Sequence, residues 1–205
     1  MNIKKELITA IKVFIGFAVI LGIIYPLCVT GIAQLTMKDK ANGSLIEKDG
    51  KVIGSILIGQ KFDTPEYFNS RPSAVDYNAS SSGASNLGPT SKKLIEQTQN
   101  RINESKQNNN INNNTKIPAD MVLASASGLD PHISIENAKI QADRIAKIRR
   151  LKIEQVNTLI SKNIDDDFLG LWGQKGVNVL KLNIALDNKS KQPKRHAELV
   201  SASHK

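Results

Sequence analysis

The stretch Gly83-Ala84-Ser85-Asn86-Leu87-Gly88-Pro89-Thr90 has the glycine spacing and terminal threonine of a phosphate-binding P-loop. Proline stands where the loop's lysine should be, and that lysine supplies the charge that meets the phosphates. No clear strand leads into the stretch, so it reads as a structural loop. A weaker nucleotide site would combine Ser125, Ser127, Gln141 and Arg144, where hydroxyls, a helix start and a cation meet phosphate. Asp63, Glu66 and Asp76 would concentrate cations if they converged on one cleft, but Arg71 and the overall positive charge oppose this. The three histidines, His132, His196 and His204, are too scattered for a metal site, and His132, after Asp130-Pro131, reads as an orienting loop residue. Asp165-Asp166-Asp167 is an acidic run between elements, normally a solvated face. No Ser-His-Asp or Gly-x-Ser-x-Gly arrangement stands out. These observations predict no catalytic residue, no metal site and no confidently bound cofactor.

The elements that carry these residues follow from pattern. Ser44-Leu45-Ile46, a Lys48-Asp49-Gly50-Lys51 turn and Val52 to Ile58 read as a hairpin, since Asp-Gly between β-prone runs is a strong hairpin signal. Phe62 to Pro89 is rich in Pro, Gly, Ser and Asn, a long irregular region of the kind that is functional or disordered. Thr90 to Lys106 is helical in pattern, with Leu94, Ile95, Thr98 and Ile102 on one side. Six of the ten residues from Gln107 to Lys116 are asparagine, a low-complexity composition that predicts a mobile segment without function. A short apolar run follows Pro118-Ala119-Asp120. Ser134 precedes a helix with Glu136 in its first turn, Ile140, Ile145 and Ile148 toward the core, and Lys147, Arg149 and Arg150 at its end, as the helix dipole favours. Ile153 to Ile164 is amphipathic. Val177 to Leu186 mixes alternate and adjacent apolar positions, so helix and strand stay open there. Strands with segregated helices predict an α+β domain.

Ahead of this domain lies a different composition. No residue from Val13 to Met37 is charged, and roughly 20 apolar residues suffice to span a bilayer as a helix. Lys4, Lys5 and Lys12 precede the segment, and the positive-inside rule keeps such a lead in the cytoplasm and the remainder outside. A cleaved signal peptide is the competing reading, with Gly31-Ile32-Ala33 as its cleavage site, but signal h-regions run about 7–15 residues, shorter than this one. Pro26 would kink or end the helix near the outer face. The predicted organisation is a cytoplasmic lead (1–12), a transmembrane anchor (13–37), one extracytoplasmic α+β domain (38–187) and a basic, disordered tail, Asn188 to Lys205 (188–205).

The formal charge of +9 is concentrated in the lead and the tail, and aromatics make up only 4%, so the main domain offers no nucleic-acid platform. The single cysteine, Cys28, lies in the apolar segment, which excludes a disulfide framework and a thiolate metal site. Leu27 directly before it does not fit a lipoprotein signal.

Several unusual strings resemble one family, the C subunit of the Kdp potassium-transporting P-type ATPase. They are Tyr25-Pro26-Leu27 with Val29-Thr30-Gly31, Ala41-Asn42-Gly43-Ser44-Leu45-Ile46, Leu57-Ile58-Gly59-Gln60, and Tyr67-Phe68 followed by Arg71-Pro72-Ser73-Ala74. Gly83 with Ser85 to Thr90, Ser125 to Ser134, and Val177-Asn178-Val179-Leu180 with Leu182-Asn183 complete the set, in family order from about Ile8 to Asp187. The resemblance implies a single-pass subunit of the plasma (inner) membrane. Its partners would be a potassium-channel-like A subunit, an ATP-hydrolysing B subunit and a small F peptide, besides membrane lipid. It further implies a non-catalytic role: stabilising the assembly and acting as a catalytic chaperone that raises the ATP affinity of the hydrolysing subunit. ATP and potassium are then handled by the partner subunits, and the chain indeed has no Asp-Lys-Thr-Gly phosphorylation sequence and no potassium filter. Arg71, Pro72, Ser73, Gly83, Ser85, Asn86, Gly88, Pro89, Gly128, Asp130 and His132 are the expected interface or structural motif residues. The alternatives are a direct ATP-binding subunit and an outer-mouth gate for potassium. Arg150 departs from the family by standing where glycine is usual, and Gln174 where an acid is usual.

Overall fold

From Val13 to Met37 the chain is uncharged and mostly apolar, and with its short polar lead it forms one helical rod over Ile3–Thr36. The structure, a computed structural model, describes residues 3–48, 50–166 and 173–190. The rod comprises α1 (Ile3–Val19), a π-helical turn (Ile20–Ile24) and α2 (Tyr25–Thr36). Its mean hydropathy reaches 2.6, and among the described residues it is the one helix long and apolar enough to cross a membrane. At 1.5 Å per residue it measures about 50 Å, more than a bilayer's apolar thickness of about 30 Å. Of the two expected effects of Pro26, a kink or an end, the helix does not end at this residue. The widened π turn lies immediately before it, where the missing N–H and the ring would otherwise disrupt α-helical bonding.

Two compact units divide after Ile53. In the first, the rod is followed by a single turn, α3 (Lys38–Ala41), tied back by Gln34 Nε2 donating to Asn42 Oδ1 at 3.0 Å. The expected hairpin then forms from β1 (Leu45–Lys48) and β2 (Lys51–Ser55). Asp49 of its turn lies outside the described residues, and β2 stops at Ser55, three residues short of Ile58.

The second unit carries the core. After the irregular region come α4 (Lys92–Asn109), α5 (Ala119–Val122), β3 (His132–Ile133), α6 (Ile135–Arg149), α7 (Ile153–Lys162), β4 (Ile164–Asp165), β5 (Gly176–Asn178) and α8 (Val179–Ser190). The strands form an antiparallel sheet in the order β3-β5-β4, with Ile133 and Ile164 both opposite Val177. The segment Val177 to Leu186 is both strand and helix: Val177 and Asn178 end β5, and the chain turns directly into α8. Asn178 makes the junction, its Oδ1 accepting from Lys181 N at 3.1 Å and its Nδ2 donating to Ile56 O at 2.8 Å.

The core gathers Phe68, Ile133, Ala142, Ile145, Val156, Ile160, Val177, Leu182 and Leu186, from the sheet, α6, α7, α8 and one loop residue. Burying each of these side chains other than Ala142 contributes about 1.5–3 kcal/mol. Of the α6 residues expected toward the core, Ile145 is buried, Ile140 is partly buried and Ile148 is exposed, because the buried face of the helix runs through Asn137, Ala138, Gln141, Ala142, Arg144, Ile145 and Ala146; on the expected apolar side of α4, Ile95 is exposed. α6 starts where Ser134 Oγ accepts from Asn137 N, the N-cap its sequence predicts. It ends in a Schellman motif: Leu151 N donates to Ala146 O and Arg150 N to Lys147 O, with Arg150 at φ +54. Glycine adopts this left-handed position without strain, which accounts for the glycine that the resemblance leads one to expect here, and arginine holds it at a cost.

The asparagine-rich segment is not uniformly idle. Gln107–Asn109 are the last turn of α4, Asn110 adopts φ +52, and Ile111 N donates to Lys106 O in the same kind of cap. Asparagine tolerates the left-handed region better than most residues, and Asn109 is buried.

Candidate functional site

No strand or helix occupies the chain from Ile56 to Ser91, so its buried backbone polar groups must be satisfied by side chains and other loops. Most of the resemblance strings fall here or bind to it. Asn183 on α8, buried, accepts from Phe68 N at 2.9 Å through Oδ1 and donates to Phe68 O at 3.0 Å through Nδ2. One side-chain amide thereby completes both hydrogen bonds of the core's one loop-borne aromatic.

Arg144 holds the neighbouring residues. Its Nε donates to Asn109 Oδ1 and its NH2 to Asn69 Oδ1 and Gln141 Oε1, each at 2.9 Å; its NH1 donates to the carbonyls of Tyr67 and Pro65. Burial pushes its pKa down from the ordinary guanidinium value. Gln141 receives Asn69 N at 2.7 Å and donates to Asn137 Oδ1 at 2.8 Å. These residues sit at helical spacing on α6 and form a filled polar network, so neither Gln141 nor Arg144 is presented to an external phosphate. The start of α6 is equally committed. Asp120 Oδ2 accepts from Ser134 N at 2.7 Å and from Asn137 Nδ2 at 2.9 Å, and its Oδ1 accepts from Ser134 Oγ. A carboxylate already occupies the end of the helix dipole that would attract a phosphate. Ser125 is buried, its N–H donating to Pro72 O, whereas Ser127 is exposed and receives Leu129 N at Oγ. The four nucleotide candidates therefore divide into an internal pair and two loop hydroxyls.

The motif residues converge better. Arg71 NH1 donates to Asp130 Oδ2 at 2.9 Å, and Asp130 Oδ1 accepts from His132 N at 2.9 Å. Gly83 N donates to Ser127 O at 2.8 Å, and Ser73 Oγ accepts from Tyr77 N. Gly128 lies beneath this crossing at φ +70, where a Cβ would stand 2.6 Å from Val75 Cγ2 and 2.8 Å from Gly83 O. Tyr77, whose hydroxyl donates to Arg71 O at 2.7 Å, has its pKa pushed up to about 12, by burial first and then by Asp63 and Asp76. Ser85, Asn86, Gly88 and Pro89 form the exposed far side; Asn86 adopts φ +52, while Gly88 has open space around it.

His132 is a strand residue, in β3, not a loop residue. Its Nε2 lies 3.1 Å from Asp165 Oδ2 on β4, and Lys181 Nζ of α8 donates to Asp165 Oδ1 at 3.1 Å. Asp165 is thus a clamp across the sheet and not part of the solvated run expected of Asp165 to Asp167; Asp167 lies outside the described residues. Burial raises the Asp165 pKa, but the hydrogen bonds from His132 and Lys181 and their charges outweigh it, leaving the carboxyl below its ordinary value. Two of the three acids considered for cation capture share a cation: Lys61 Nζ lies 3.0 Å from Asp76 and 3.8 Å from Asp63. The hydrogen bond to Asp76, then the Asp63 charge, raises the Lys61 pKa. Among the described residues no three His, Cys, Asp or Glu side chains group as a metal site.

Sequence reasoning missed Asn69, Asn137, Asn178, Asn183 and Asp120. For Asn137 and Asn183 the available signal was a polar residue at core spacing on a helix; Asn69, Asp120 and Asn178 lie in a loop, a single turn and a strand, where spacing gave none.

The fold and these knit loops define a class: a protein with one helix fit to cross a membrane and an α+β domain whose loop surface is stiffened by buried amides. The family profile described as KdpC: K+-transporting ATPase, c chain, matches residues 7–188. A Mycobacterium tuberculosis (strain H37Rv) relative, named potassium-transporting ATPase KdpC subunit, is 47% identical over 186 residues, 90% of this chain and 98% of its own. Relatives of the same name from Caldanaerobacter subterraneus and Dechloromonas aromatica are 47% and 48% identical over 191 residues, covering 93% and 92% of this chain and 99% and 100% of their own. The chain belongs to the KdpC family of K+-transporting ATPase c chains.

Proposed function

We propose that this chain is the non-catalytic accessory subunit of an ATP-driven potassium uptake pump, holding the pump's other subunits together through its motif loops. The observation that carries the reading is the cross-linked loop surface: Arg71 to Asp130, Gly83 to Ser127 and Asn183 to Phe68 fix loops that would otherwise be mobile. Fixed loops bind with little ordering cost. The proposed organisation keeps residues 1–12 cytoplasmic, places the anchor over 13–37 and sets the domain of 38–187 outside the cell, with channel-like A, ATP-hydrolysing B and small F subunits as partners. From that side the domain raises the ATP affinity of the hydrolysing subunit by favouring one conformation of the complex, the only means open to a ligand acting at a distance. Direct ATP contact is disfavoured by the commitment of Gln141, Arg144 and the α6 start to internal partners. The gate reading is disfavoured by Lys61, which pairs with Asp63 and Asp76.

An affinity tag on this chain tests the reading. Detergent extraction should recover a complex with potassium-stimulated ATP hydrolysis; recovery of the tagged chain alone from membranes that contain the other subunits would overturn it.

A further inference from the structure

Between α4 and the motif loops lies an open cleft of about 530 Å³, within the range of ligand and side-chain pockets. Leu87, Leu94 and Leu123 supply its apolar lining, and its charged lining residues are Lys93 and Arg101, with no acid among them. Arg101 is anchored, NH1 donating to Val122 O at 3.1 Å, whereas Lys93 is exposed on the first turns of α4. The loop side is held by Gly83 N donating to Ser127 O and by Ser125 N donating to Pro72 O. The cleft is therefore preformed, half apolar and of one charge sign.

We propose that this cleft receives a segment of a partner subunit in which a carboxylate stands beside a bulky apolar side chain, the apolar group against the three leucines and the carboxylate between Lys93 and Arg101. An apolar anchor in a pocket with a complementary charge at its edge is the usual composition of a binding centre, the charge fixing register and rate of encounter. The inference rests on the assembly reading above and names the contact through which it works.

The test uses the complete complex in its membrane. Lys93→Glu reverses the cleft's exposed charge; Lys92→Glu makes the same change one residue away, outside the lining. Both positions are exposed on a helix, where substitutions leave folding nearly unchanged, and thermal unfolding of each variant confirms that. With a tag on a partner subunit, Lys93→Glu should be washed from the complex about tenfold faster than Lys92→Glu. Benzoylphenylalanine in place of Leu87 should photo-cross-link a partner peptide containing Asp or Glu within a few residues of the adduct. Equal retention of the two variants, equal loss of both, or a cross-link to lipid or to a segment without an acid would overturn the cleft. Failure of the unsubstituted chain to be retained at all would instead overturn the assembly reading.

Discussion

Gly128 and Gly88 carry the same residue type in the same loop surface but face opposite demands. Gly128 combines a left-handed φ of +70 with neighbours that a Cβ would meet at 2.6 and 2.8 Å, whereas Gly88 has neither constraint. Gly128→Val should therefore destabilise the chain by about 3 kcal/mol, backbone strain adding to overpacking, and Gly88→Val by less than about 0.5 kcal/mol. Thermal unfolding of the full chain in detergent checks both; a tolerated Gly128→Val would show that the loop crossing is not fixed as described. From sequence alone the two glycines looked equally important, because glycine in a Pro- and Ser-rich loop reports nothing about what packs above it. What surrounds the nucleotide candidates was hidden for a related reason. Arg144 and Gln141 read as available polar groups near a helix start, yet their partners lie 72 to 79 positions away at Asn69, Tyr67 and Pro65, a separation no local pattern reveals.

At the ends of elements the chain was more legible, since caps are local chemistry. Ser134 as N-cap, the basic end of α6 and the hairpin around Gly50 all follow from short-range rules. The departure at Arg150 is legible too once its φ is known. Arg150→Gly should raise stability by about 1 kcal/mol, because glycine adopts the left-handed cap without strain, offset in part by its larger unfolded-state freedom; a rise of a few degrees in midpoint temperature would register it. What local rules could not supply was the division of Val177 to Leu186 between β5 and α8, set by pairing with β3 and β4. The clamp on that sheet has a pH signature. Asp165 has a folded pKa below its ordinary value of 3.8, so its stabilisation is present above that value and is lost as pH falls through the folded value. Asp165→Asn should cost about 0.5 kcal/mol at neutral pH, discounted for solvent screening of a partly exposed pair, and the difference from the unsubstituted chain should vanish in acid. A difference independent of pH would show that the carboxylate's charge is not what joins β3, β4 and α8.

The single apolar helix and the α+β class were readable from composition and periodicity, because both are properties of long segments. The family was readable from odd strings in fixed order, and the structure gives several of them a physical use: Asn178 and Asn183 as amide clamps, Gly128 as a close crossing, Arg71 and Asp130 as an ion pair. Most of that use could not be inferred from residue type, since Ile56, Phe68, Val75 and Gly83 lie far in sequence from Asn178, Asn183 and Gly128, and Arg71 from Asp130. The proposed assembly role would join these pieces, and the most direct test removes the chain altogether. The pump is purified through a tag on its ATP-hydrolysing subunit from cells with and without this chain, and potassium-stimulated ATP hydrolysis is measured against ATP concentration. Without the chain, the account predicts loss of the other subunits from the preparation and a weakened apparent ATP affinity, both restored when the chain is supplied again. An intact complex with unchanged ATP dependence in the absence of the chain would contradict it.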